Sequence, residues 1–168
     1  MLKSNALKKH HILVILLSIP TIIFSQEISF EQHTVISDNS DGYGRPRIVL
    51  TNNNNPLIIW RKDATPKVLK ASKWNGNSFS APYEILQAGI LPSSWDGPEA
   101  ASKGDTIYIV FTSLASSQSS IMLIKSFDGG ITFSDTSRVS ESLAGHKYRM
   151  ANIEINENGQ PIVSYMQY

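Results

Sequence analysis

From about residue 26 onward the chain has almost no helical periodicity. Its apolar residues fall into short β-rich runs broken by Asn, Gly, Ser and Pro, the pattern of strands joined by turns. Three stretches share one plan: RPRIVLTNNNNPLIIW (45–60), GPEAASKGDTIYIVF (97–111) and MANIEINENGQPIVSY (150–165). Each gives a short strand, a polar turn and a second strand ending in an aromatic residue. Pro46, Pro98 and Ala151 hold the same position in them, 52 and 53 residues apart. The turns TNNNN, SKGD and NENGQ are rich in residues that tolerate positive φ. The closing aromatics, Trp60, Phe111 and Tyr165, are expected in the core.

A second half repeats as well. VLKASKWNGNSF (68–79) aligns with MLIKSFDGGITF (122–133), so that Ser72, Gly76, Ser78 and Phe79 match Ser126, Gly130, Thr132 and Phe133 at an offset of 54. In this alignment Trp74 takes the place of Asp128. An apolar residue follows each aromatic by six positions, Ile85 after Phe79 and Val139 after Phe133, and Ile36 stands in the same relation to Phe30. The unit is therefore four antiparallel strands in about 53 residues, the period of a β-propeller blade rather than of a helical solenoid. Alternation within TIYIVF suits a sheet packed on both faces.

The expected fold is all-β: an outer strand at 27–37, blades at 43–88 and 95–142, and a half blade at 147–168. That is about two and a half blades of a ring, and rings close with roughly four to eight. The chain thus reads as an N-terminal fragment of a longer, six-bladed propeller, or as a truncated gene product. Alone, its uncovered blade face and strand edges would favour aggregation or oligomerisation.

Composition narrows location and partners. Lys3, Lys8 and Lys9 precede the apolar run ILVILLSIPTIIF, and a small residue follows at Ser25. Residues 1–25 therefore read as a signal peptide cleaved near Ser25–Gln26. The 13-residue run falls short of the roughly 20 apolar residues of a membrane span. The expectation is a secreted, periplasmic or cell-surface protein with no stable membrane span after cleavage. Residues 26–168 hold 12 Lys and Arg against 14 Asp and Glu, with no basic stripe, so nucleic acid is not an expected partner. The chain has no Cys, hence no disulfides. Beyond the leader only His33 and His146 occur, isolated from each other, so no metal site is expected and no cofactor either.

SFDGGITF (126–133) fits the Asp-box pattern Ser-x-Asp-x-Gly-x-Thr-Trp/Phe through Ser126, Asp128, Gly130, Thr132 and Phe133. With the blade period and the export signal, residues 26–168 resemble the sialidase-like β-propeller superfamily, whose members carry this bacterial neuraminidase repeat. Many non-enzymatic propellers carry Asp-boxes, so the resemblance implies a fold more than an activity. It also implies that the turn joins a third and fourth strand, away from the ligand pocket. Asp128 is expected to accept hydrogen bonds from its own turn, the glycines to supply positive φ, and Phe133 to pack between sheets.

Sialidases, as a family, clamp a substrate carboxylate with three arginines and use a Tyr nucleophile assisted by a Glu, with an Asp as acid and base. Planar guanidinium groups hold a carboxylate bidentately. A neutral Tyr can attack an anionic sugar centre that would repel a carboxylate. The first of the arginines belongs to a Phe/Tyr-Arg-Ile-Pro motif. Tyr43 and Pro46 fit it, but Gly44 stands where Arg should be and Arg45 comes one place late. Asp96 fills that place in the second unit. Tyr148 and Arg149 fit in the third, with Ala151 replacing Pro. Arg61 and Asp63, in WRKDATP, lie where a catalytic Asp loop could be, but that loop is short.

Independently of the family, the starts of the first strands would converge on a propeller axis. This makes Arg45, Trp95, Asp96, Glu99, Tyr148 and Arg149 the candidate ligand-binding residues, with Trp95 able to stack on a sugar. The leading expectation is a non-catalytic binding module for a carbohydrate or an extracellular protein. The alternative is an exo-sialidase-type glycoside hydrolase whose remaining catalytic residues lie in a missing C-terminal part. A third possibility is a chain that assembles as an oligomeric ring.

Overall fold

The computed structural model describes residues 33–37, 41–42, 44–65, 67–86, 96–114 and 118–168. The expected leader, residues 27–32, Tyr43 and Trp95 lie outside them. Residues 33–37 belong to no strand. The described chain is all-β and antiparallel. Strands β1 (Arg47–Leu50), β2 (Pro56–Arg61), β3 (Leu69–Lys73) and β4 (Tyr83–Glu84) form one four-stranded sheet in sequence order. β5 (Glu99–Lys103), β6 (Thr106–Ser113), β7 (Ser120–Ser126) and β8 (Ser137–Arg138) form a second. β9 (Tyr148–Ile155) and β10 (Pro161–Gln167) make a two-stranded hairpin. No sheet closes on itself. Among the described residues no helix is long and apolar enough to cross a membrane.

The turns follow their residues. The β1–β2 connection is a tight turn at Asn52–Asn54, closed by the Asn55 N–H donating to the Asn52 carbonyl at 3.4 Å, with Asn53 and Asn54 left-handed at φ 60° and 57°. Asn is one of the few L-residues that visits this region at low cost. The tips of successive sheets are tied together. Asn52 donates from Nδ2 to Asp105 Oδ2 at 2.6 Å, and Lys103 Nζ donates to the Glu157 carbonyl at 2.5 Å.

Register shows that the repeat is structural. Arg47 pairs with Ile59, Glu99 with Val110 and Asn152 with Ser164. Trp60, Phe111 and Tyr165 each follow the second member by one residue, so they share one place in their sheets. That place looks toward the preceding sheet. Ile107, Ile109 and Phe111 pack onto Val49, Leu57, Ile59, Leu69 and Ala71 of the first sheet. On its other face the second sheet offers Val110 and Ile121, with Tyr108 and Leu123, to Ile153, Tyr148, Val163 and Tyr165 of the hairpin. Alternation in TIYIVF thus feeds two cores at once, as expected for a sheet covered on both sides. Trp60, which no sheet precedes among the described residues, is covered by the chain around Asp41 and is only 3% exposed.

Two faces carry exposed apolar side chains: Ile48 and Leu50 on the first sheet, and Ile162 and Met166 on the hairpin.

Candidate functional site

The SFDGGITF turn is built around one carboxylate. Asp128 Oδ1 accepts hydrogen bonds from Ser126 Oγ (2.7 Å) and from the backbone N–H groups of Ile131 (3.0 Å) and Thr132 (2.9 Å). Its Oδ2 accepts from the Thr132 hydroxyl at 2.5 Å. Ser126 Oγ in turn accepts from the N–H of Gly130 at 2.9 Å. Gly130 sits at φ 87°, where a Cβ would come within 2.8 Å of Leu57 Cδ2 on the neighbouring sheet. Its carbonyl accepts from Tyr83 Oη at 2.6 Å, and burial, with the charge of Asp128, pushes that phenol up to about 12. Phe133 packs on the core between the first two sheets. Both Asp128 oxygens are thus engaged within their own loop, the role expected of a turn-organising carboxylate.

The same bonds fix a pH dependence. Hydrogen bonds from the Thr132 side chain and backbone, then from Ser126 and Ile131, hold Asp128 well below its ordinary 3.8. A carboxylate whose folded pKa is depressed stabilises the fold above the unfolded value and loses that stabilisation as pH falls below it. Asp128→Asn is therefore expected to melt below the parent at pH 7, and the gap should narrow as pH is lowered from about 4 toward 2. Thermal melts across that range would expose the error if the gap stayed constant.

The structure corrects the alignment with SKWNGNSF. Ser80 donates its N–H to the Lys73 carbonyl (2.8 Å) and accepts from the Lys73 N–H through Oγ (3.1 Å). Ser134 and Lys125 repeat both bonds, at 2.8 and 3.2 Å. Lys73 thus corresponds to Lys125, an offset of 52, while Phe79 and Ser80 correspond to Phe133 and Ser134 at 54. The first turn is two residues shorter. Trp74 stands in the place of Ser126, and Ser72 has no box role: its hydroxyl donates to the Ser80 carbonyl at 2.7 Å. Asn75, not Trp74, supplies the organising oxygen, accepting from the N–H groups of Asn77 (3.0 Å) and Ser78 (2.9 Å). Trp74 closes the turn edge-on against Phe79, ring centres 5.2 Å apart.

At the starts of β1, β5 and β9 the three sheets meet around an open cleft of about 320 Å³. Arg45, Arg47, Asp96, Glu99, Met150 and Asn152 line it. Arg47, missed by the sequence reading, pairs with Glu99: Nε donates to Oε2 at 2.6 Å and Nη2 to Oε1. Its Nη1 donates to the Pro46 carbonyl at 3.0 Å. The slot that could have revealed the pair is the one just after Pro46, Pro98 and Ala151, where Arg47, Glu99 and Asn152 lie side by side. Asp96 joins all three sheets. Its carbonyl accepts from Arg61 Nη1 (3.1 Å), and its Oδ2 accepts from the Thr112 hydroxyl (2.9 Å) and the Met150 N–H (3.3 Å). Gly97 is required here, since a Cβ would approach Arg45 Cβ to 2.8 Å.

Arg45 and Met150 occupy the same position of their repeats, and both hold left-handed backbone, at φ 45° and 54°. Non-glycine residues adopt that conformation at a cost of about 1–2 kcal/mol, and such strain gathers at binding sites. The cleft thus brings together Arg45, Asp96 and Glu99 of the expected ligand set. Tyr148 and Arg149 do not line it. Tyr148 is 2% exposed in the second core, edge-on to Tyr165. Arg149 lies over the Tyr168 ring, 5.6 Å from its centre. Asp63, read as a possible catalytic loop residue, forms an ion pair with buried Arg61.

No family model matches the chain, and no curated protein matches it.

Proposed function

We propose that the chain is part of an exported sialidase-like β-propeller, its three sheets successive blades, acting as a binding module for a glycan or an extracellular protein. The observation that carries this reading is the cleft where the first strands converge, strained at Arg45 and Met150 and lined by charged side chains. The blade assignment is supported by the matching registers, by the stacking of each sheet on the next, and by the closed hydrogen-bond set of the 126–133 turn. In a ring, neighbouring blades would pack on the faces that carry Ile48, Leu50, Ile162 and Met166. The signal-peptide pattern read in the sequence at 1–25 supports export. A non-catalytic role is favoured because the one Tyr-Arg pair that fits the sialidase motif, Tyr148 and Arg149, points elsewhere.

The full chain is expected to release no fluorophore from a fluorogenic sialoside. It should retain ligand in a pull-down from glycan- or protein-coated resin, less so after Arg45→Ala and equally after Asp128→Ala. Sialoside cleavage above background would overturn the binding-module reading in favour of a hydrolase.

A further inference from the structure

We propose that the cleft takes a neutral, hydroxyl-rich ligand, a saccharide unit without carboxylate or phosphate. This rests on the binding-module reading and narrows it to a ligand class. Most polar groups that line the cleft are already occupied. Arg47 and Glu99 neutralise each other, with both Glu99 oxygens and three guanidinium nitrogens engaged. Asp96 Oδ2 serves Thr112 and Met150. Asn152 Oδ1 accepts from the Ile153 N–H at 2.8 Å.

What remains is the exposed guanidinium of Arg45, the Nδ2 donors of Asn152 and the Oδ1 acceptor of Asp96. That is one cation, one carboxylate oxygen and one neutral amide, in a cleft whose four charged residues sum to zero. An anion seated on Arg45 would face the carboxylates of Asp96 and Glu99, and a cation on Asp96 would face two guanidinium groups. A hydroxyl can do what neither ion can: accept from Arg45 or Asn152 and donate to Asp96. Vicinal hydroxyls on one ring satisfy both kinds of partner together. Arg149, which could have tipped the balance toward an anion, lies over Tyr168 and adds no charge to the cleft.

The test uses the full chain on an array that prints each neutral glycan beside its sialylated counterpart. Neutral members should be retained, sialylated counterparts no better, and Arg45→Ala and Asn152→Ala should each weaken retention about ten-fold or more. Raising ionic strength about five-fold should leave that binding unchanged, because a neutral ligand has no charge to screen. Preferential, salt-sensitive retention of the sialylated members, lost in Arg45→Ala, would overturn the neutral-ligand inference and leave the binding module standing. Retention of neither member would overturn the glycan inference. If a protein ligand were still lost with Arg45→Ala, the module reading would survive that result.

Discussion

Phe111→Ala should lower stability by about 3–5 kcal/mol, the usual cost of emptying a buried aromatic site. Phe111 is 2% exposed and lies in the core shared by the first two sheets. Its neighbours there, Leu57, Ile59 and Leu69 on one side and Ile109 and Ile124 on the other, sit on strands whose registers are locked. They can collapse only partly into the space, so the cavity term is added to the lost transfer energy. The loss should extend to the cleft. Thr112, the next residue of β6, donates to Asp96, and Asp96 holds the first sheet through Arg61 and the hairpin through Met150. Equilibrium denaturation with unchanged slope would measure the effect. Phe127→Ala, at a ring 64% exposed, should stay within about 0.5 kcal/mol. A Phe111→Ala loss below about 1 kcal/mol would mean that the two sheets do not depend on this core.

Much of this architecture is legible in the amino-acid sequence, and the reason is repetition. A single alternating run such as TIYIVF is ambiguous, but three runs ending in Trp60, Phe111 and Tyr165 at matching positions imply matching environments. The structure turns all three to the same face of their sheets: Phe111 and Tyr165 meet the preceding sheet, and Trp60 meets the chain around Asp41. The 126–133 turn was equally legible, because its bonds are local: an Asp two residues after Ser126 and four before Thr132 can reach all its partners within one loop. The limit came where local similarity and spatial equivalence diverge. Ser72 and Ser126 look alike at an offset of 54, yet the pairing of Lys73 with Ser80 puts the two-residue difference inside the turn. Only the ladder could show this. The cleft was half legible. Strand starts pointed to Arg45, Asp96 and Glu99, but side-chain direction separates Arg149 and Tyr148 from them. The left-handed backbone at Met150 and the bulge between Ser164 and Met166 lie near that pair, and no residue pattern announces either.

The largest polar effect is expected at a residue that the sequence did not mark at all. Asp41, in the bland stretch SDNSDG, is 1% exposed. Its Oδ2 accepts from Trp60 Nε1 at 3.0 Å and its Oδ1 from Lys70 Nζ at 2.6 Å, while its carbonyl accepts from the Asp63 N–H at 2.8 Å. It therefore does for Trp60 what a neighbouring sheet does for Phe111: it covers the face and satisfies the indole N–H. Removing only the carboxylate leaves the Lys70 ammonium, its side chain 14% exposed, without its counter-charge, and the Trp60 N–H without an acceptor. Deleting one member of a buried ion pair typically costs about 3–5 kcal/mol, most of it the penalty of the stranded charge. Asp41→Ala should therefore destabilise by that amount. Lys70→Met strands the Asp41 carboxylate in turn, 1% exposed with only the indole N–H beside it, and should cost a similar amount, while the double variant should be more stable than the two single losses added together predict. The cycle isolates the coupling, expected at about 1–3 kcal/mol. Strict additivity would show that the pair contributes nothing beyond its separate parts. The consequence for the cleft can be read in the same variants. Arg61 follows Trp60 directly, pairs with Asp63 and donates to the Asp96 carbonyl. A loosened Trp60 should therefore weaken ligand retention in Asp41→Ala while leaving Asp128 and its turn untouched.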